Sequence, residues 1–177
     1  LQHQQMQDDL KAKEVRKGSG EREKPLSAGP SEFIICSALS YMHGREPPVI
    51  HRDINCSNMI VHVTASTSSP KGTLNFLAAE LLSSQMTQRT GPRYSRKSDI
   101  WAFGCSVYQM ASVRDPTTAV NFLQMALQLE RAGAPELPDG TSLELKDFYS
   151  RCTAKDRSQR QSAAELMEAE FLKGIQA

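Results

Sequence analysis

The stretch Asp99 to Ala111, Asp-Ile-Trp-Ala-Phe-Gly-Cys-Ser-Val-Tyr-Gln-Met-Ala, is apolar on nearly every side of a helical turn. A surface helix keeps a polar face for water; a helix without one is buried and needs other elements around it. The neighbouring segments read as that cover. Phe33, Ile34, Ala38, Leu39 and Met42 make an apolar helical face, starting near Ser31-Glu32 and ended by Gly44 and Pro47-Pro48. Thr117 to Ala132 reads as another helix, entered through Asp115-Pro116. Leu143 to Cys152 and Ser162 to Leu172 read as two more. Each has a capping-type start, Thr141/Ser142 before Glu144 and Ser162 before Glu165.

Two short β-branched runs, Val49-Ile50 and Met59-Ile-Val-His-Val63, flank residues 51–58 and predict a loop between two short strands. Residues 64–71, Thr-Ala-Ser-Thr-Ser-Ser-Pro-Lys, form a polar low-complexity link, and no internal repeat occurs. The expected fold is mainly α with a small β element near residues 49–63. Residues 1–30 differ in character. Four glutamines and eleven charges precede Pro30, with Gly18-Ser-Gly20, Pro25 and Gly29-Pro30 breaking any helix. Too few apolar residues remain to bury a face, so a flexible lead-in is expected, with residues 31–177 as the folded part.

Composition excludes several function classes. Lys plus Arg number 21 against 20 Asp plus Glu, so a net charge of +1 offers no general pull on nucleic acid or membrane surface. No apolar run approaches the roughly 18 residues of a membrane span, and no basic-then-apolar leader opens the chain. The first residue is Leu, which is expected of a sequence starting inside a longer reading frame. Cys36, Cys56, Cys105 and Cys152 are widely spread and form no C-x-x-C pair, which argues against a disulfide framework or a zinc site. Free thiols in a reducing, cytoplasmic compartment are expected.

The chemically informative octet is His51-Arg52-Asp53-Ile54-Asn55-Cys56-Ser57-Asn58. An Asp on a loop after a helix, with an Asn five residues on leading into a strand, suits phosphoryl transfer. One carboxylate orients the substrate hydroxyl and one amide oxygen holds a metal ion on the phosphates. Blander readings stand beside this one. Asp53 caps a turn, Asn58 bonds its own loop, His51 is a satisfied core histidine, and Met110, Met125 and Met167 pack a core.

The octet resembles the H-R-D-L-x-x-x-N catalytic loop of eukaryotic protein kinases. Downstream, Gly72-Thr-Leu-Asn-Phe-Leu-Ala-Ala-Glu80 resembles the G-T-x-x-[FY]-x-A-P-E stretch that closes the kinase activation segment. Ser98-Asp-Ile-Trp-Ala-Phe-Gly104 resembles S-D-I-W-S-x-G, and residues 145–152 and 156–160 resemble the closing helices. The matches keep the family's order over residues 31–177. "GTLNF", "GCSVYQM" and "RQSAAELM" look most like the STE group, near MAP kinase kinase kinases.

The resemblance implies a protein-kinase-like C-terminal lobe and a role for each matching position. Asp53 corresponds to the catalytic base and Asn58 to the magnesium ligand. Thr73 would bond near Asp53 and shape the substrate site. His51 would support the loop backbone, and Arg52 would pair with a phosphorylated activation segment. Glu80 and Arg160 would form a buried ion pair, and Asp99 would accept backbone N–H bonds from the catalytic loop. ATP and Mg are the implied cofactors. The implied partner is a protein substrate, such as a downstream kinase.

Departures from the family pattern are equally specific. Asn55 stands where the family has Lys, removing a cation from the transferring phosphate, and Ala79 stands for Pro. No Asp-Phe-Gly occurs, and Glu80 follows Asn58 by only 22 positions. A deletion on the order of 20 residues is expected there, in the place of the 64–71 link. No Gly-rich loop, Val-Ala-Ile-Lys pattern or partner Glu precedes residue 31, so the small N-terminal lobe reads as missing and the nucleotide site as unknown. Three readings follow: a Ser/Thr kinase fragment inactive on its own, a pseudokinase scaffold, or an unrelated helical interaction domain. Retention of Arg52, Asp53, Asn58 and Thr73 favours the first.

Overall fold

The computed structural model describes residues 30–59, 74–78, 80–81, 94–117, 119 and 121–173. Six α-helices occur among them: α1 Pro30–His43, α2 Arg96–Ser112, α3 Phe122–Ala132, α4 Leu143–Cys152, α5 Ala163–Leu166 and α6 Glu170–Lys173. Two 3-10 turns, Cys56–Asn58 and Leu74–Phe76, are also present, and Glu80 and Leu81 are helical. The expected lead-in, the 64–71 link, Thr73 and Ala79 lie outside the described residues.

The all-apolar helix is the centre of the molecule. Every residue of α2 from Ser98 to Val107 is buried, and α2 packs against α1, α4 and both 3-10 turns. Phe103 meets Phe148 of α4 edge-on at 5.9 Å, and Phe148 stacks in turn on Phe171 of α6 at 5.1 Å. Gly104 lets α4 approach. A Cβ placed there would lie 2.8 Å from Cys152 Cβ and 2.5 Å from Thr153 Cγ2, so no side chain fits.

The helix boundaries follow local bonds. Ser142 caps α4 by accepting from Leu145 N at 3.2 Å, and α4 runs over the expected residues, Leu143 to Cys152. Ser162 and Glu165 form a reciprocal capping box at α5. Three expectations shift. The helix read from Thr117 starts instead at Phe122, because Asn121 is the cap that accepts from Gln124 N. Thr117 is occupied otherwise, accepting from Ala119 N and donating to Gln128. The single helix read over Ser162–Leu172 is two, α5 and α6. On one straight helix Leu172 would point half a turn away from Ala163. Bonds from Ala169 N to Leu166 O and from Leu172 N to Ala169 O tighten the chain between them, and both side chains reach the core.

The third shift concerns α1. Ile34 and Ala38, expected on its inner face, are exposed, whereas Cys36, Leu39 and His43 are buried. Those three sit at i, i+3 and i+7, one helical stripe. Of the two expected strands, Val49, Ile50 and Met59 belong to no strand, although Met59 is extended, and residues 60–63 lie outside the described part. Among the described residues the fold is helical, with no strand.

Candidate active site

The 51–58 loop is suspended from α2 by one buried side chain. Asp99, 1% exposed, accepts the backbone N–H of His51 on Oδ2 and that of Arg52 on Oδ1, both at 2.8 Å. Its Oδ2 also meets Nε2 of the buried His43 at 3.0 Å. Arg52 sits at φ 70°, in the left-handed region that a non-glycine side chain enters at a cost of about 1 kcal/mol. The bond to Asp99 holds it there.

Beyond Arg52 the loop bonds to α2 once more, through Cys56 Sγ to Ser106 O at 3.5 Å, and otherwise to itself. Asn58 Nδ2 donates to Asp53 Oδ2 at 2.7 Å and to Asp53 O at 2.9 Å. Asn55 Nδ2 donates to Asp53 Oδ1 at 3.1 Å and to its carbonyl at 3.2 Å. Asn55 Oδ1 accepts from Ser57 N and Asn58 N and so caps the 3-10 turn. Asp53 N donates to His51 Nδ1 at 3.3 Å. His51, Arg52 and Asp53 are exposed, while Ile54 and Asn55 are buried. The reading of His51 as a core histidine therefore gives way: the core histidine here is His43. The cavity beneath the loop, between Asp53, Phe76, Asp99 and Ala102, is about 10 Å³, the room of one water molecule.

A second constellation anchors the segment ending at Glu80. Arg160, almost wholly buried, forks onto Glu80 with Nη1–Oε1 at 3.1 Å and Nη2–Oε2 at 3.2 Å. Its remaining donors reach Ala154 O and Lys97 O, and its guanidinium lies 5.0 Å over the Trp101 ring. Ser98 Oγ donates to Glu80 Oε1, and Lys97 Nζ donates to Arg160 O.

The structure thus brings together His51, Arg52, Asp53, Asn55, Asn58 and Asp99 at one place, and Glu80 with Arg160 at another. Thr73 lies outside the described residues. His43 and Trp101 were missed as site residues. The signal for His43 was available, since it follows Cys36 and Leu39 on one helical stripe. Trp101 offered none beyond its place in the apolar helix.

As for a metal, no group of three His, Cys, Asp or Glu among the described residues could hold one. Magnesium bound to phosphates takes one or two carboxylates with water and phosphate oxygens. The described residues supply Asp53 and the Asn58 amide, with Asn58 turning its nitrogen to Asp53. They do not by themselves fit a magnesium or nucleotide site. Among the described residues no helix is long and apolar enough to cross a membrane.

Comparison with known proteins places this geometry. The protein kinase domain family matches residues 23–172. Mitogen-activated protein kinase kinase kinase 3 of Arabidopsis thaliana is 29% identical over 154 residues, covering 78% of this chain and 26% of the relative. Mitogen-activated protein kinase kinase kinase 1a of Physcomitrium patens is 29% identical over 157 residues, covering 79% and 20%. The human serine/threonine-protein kinase Nek10 is 30% identical over 150 residues, covering 75% and 12%. The chain therefore spans about a quarter or less of the length of these relatives.

Proposed function

The chain belongs to the protein kinase family, and from that premise we propose that it is the large helical lobe of a Ser/Thr kinase. The parent moves the γ-phosphoryl of ATP onto a protein hydroxyl, with a downstream kinase as the substrate class that its mitogen-activated protein kinase kinase kinase relatives suggest. The observation that carries this reading is the Asp53–Asn58 pair, 2.7 Å apart on a loop suspended from buried Asp99. In it Asp53 orients the substrate hydroxyl and accepts its proton, and Asn58 is the residue that would ligate magnesium in the parent. Thr73 shapes the substrate site, Arg52 meets a phosphorylated activation segment, and the Glu80–Arg160 pair fixes the segment's end. The setting is cytoplasmic.

The chain alone does not catalyse. Phosphoryl transfer rests on positioning and on charge stabilisation, and Asn55 puts an amide where a cation would face the phosphate. That same substitution favours a second reading, a pseudokinase lobe that serves as a binding scaffold. The test is thermal melting with and without ATP·Mg. No stabilisation is expected of this chain, and a clear rise in melting temperature overturns its inactivity.

A further inference from the structure

We infer that Asn55 is a positioning residue that fastens the 53–58 loop from within, gripping Asp53 on one side and capping the following turn on the other. A carboxamide has two N–H donors and two acceptor lone pairs. Asn55 uses all four: Nδ2 on Asp53 O and Oδ1, and Oδ1 under Ser57 N at 3.0 Å and Asn58 N at 3.2 Å. The amide orientation is fixed by these partners. Turned over, its oxygen would face two oxygens of Asp53 and its NH2 would face two backbone N–H groups. The residue is 5% exposed, so water cannot replace a lost partner at little cost.

Neither lysine nor aspartate at this position does the same work. Lysine carries three donors and no acceptor, so it leaves Ser57 N without its cap, while Asn58 N keeps only the Asn55 backbone carbonyl at 3.0 Å. Aspartate keeps the cap but sets a second carboxylate against that of Asp53. Asn58 completes the grip, so each carboxylate oxygen of Asp53 accepts an amide N–H from its own loop. The replacement is therefore more than the loss of a cation. It exchanges a charge directed at a phosphate for a cap directed at the backbone. This goes beyond the proposed kinase reading and holds whether or not the chain is active.

Amide hydrogen exchange followed by NMR on the whole chain tests the inference. In Asn55→Ala and Asn55→Lys the Ser57 amide should exchange roughly tenfold faster, the scale of one lost N-cap, and the Asn58 amide, which keeps Asn55 O, by less. The Phe103 amide in the buried helix should be unchanged. Asn55→Asp, which keeps the acceptor, should hold Ser57 protection between that of Asn55→Ala and that of wild type, the shortfall from wild type being the repulsion from Asp53. Wild-type protection in Asn55→Lys, or loss in Asn55→Asp as deep as in Asn55→Ala, overturns the cap. Should Asn55→Ala fail to fold, Asn55→Lys takes its place as the reference for Asn55→Asp. The grip on Asp53 is read from the Asn55 side-chain NH2, whose exchange should accelerate in Asp53→Ala; unchanged exchange overturns that half.

Discussion

Asp99 holds Arg52 in a backbone conformation that its side chain disfavours: Oδ1 accepts the Arg52 N–H at 2.8 Å while φ stands at 70°. The carboxylate sits in the first turn of the buried helix α2, and the residue it restrains lies 47 positions upstream. The interior of the fold and the shape of the exposed loop are thereby one structure. His43 and His51 N meet the other oxygen, so the carboxylate serves three donors at once.

Replacing Asp99 by Asn should therefore be costly despite equal size. Its NH2 group must face at least one of three N–H groups, leaving a buried donor unpaired. The expected loss is about 2 kcal/mol of unfolding free energy, read as a lower urea midpoint with an unchanged slope. A midpoint equal to wild type would mean that the loop is not suspended from this side chain.

Glu80 and Arg160 should prove strongly coupled. Arg160 is buried beneath a Glu80 that keeps some solvent contact, so removing the acid strands a guanidinium with only carbonyl partners. Glu80→Gln is expected to cost about 3 kcal/mol, and Arg160→Met a similar amount. The cost of the double variant should fall short of the sum of the two single costs by about 1–3 kcal/mol. Strict additivity in a denaturation cycle would rule the pair out as an anchor.

The same two constellations mark where sequence reading works and where it stops. The start of helix α4 was legible because Ser142 and Leu145 are neighbours that decide that boundary alone. The start of α3 was not, since Asp115-Pro116-Thr117 carries the composition of a cap while Asn121 makes the bond. The break between α5 and α6 depends on where Phe171 and Leu172 must point, which is a property of the core. Asp99 with Arg52, and Glu80 with Arg160, lie 47 and 80 positions apart. Periodicity and local chemistry say nothing about such pairs, and only the family resemblance pointed to them. The Asn55 cap, by contrast, spans two and three residues, and its Asx pattern was open to local reading.

The thiols should be inert in the folded chain. Burial pushes Cys36 and Cys105 from the ordinary value of 9.0 up to about 12, Cys56 up to about 11, and Cys152 well above 9.0. At pH 8 a thiol titrating near 12 holds roughly a thousandfold less thiolate than one at 9.0, and the thiolate is the nucleophile. Iodoacetamide should label the denatured chain readily at pH 8 and the native chain slowly, with Cys56 the first to react. The sign of the linked stability follows from the upward direction. Below pH 9 the thiols are protonated in both folded and unfolded chains, and their contribution is fully present. Between pH 9 and about 12 the unfolded chain loses these protons first, so stability drains away as pH rises. Melting temperature should therefore fall through that window. Native labelling of Cys36, Cys105 and Cys152 at the denatured rate would contradict their burial.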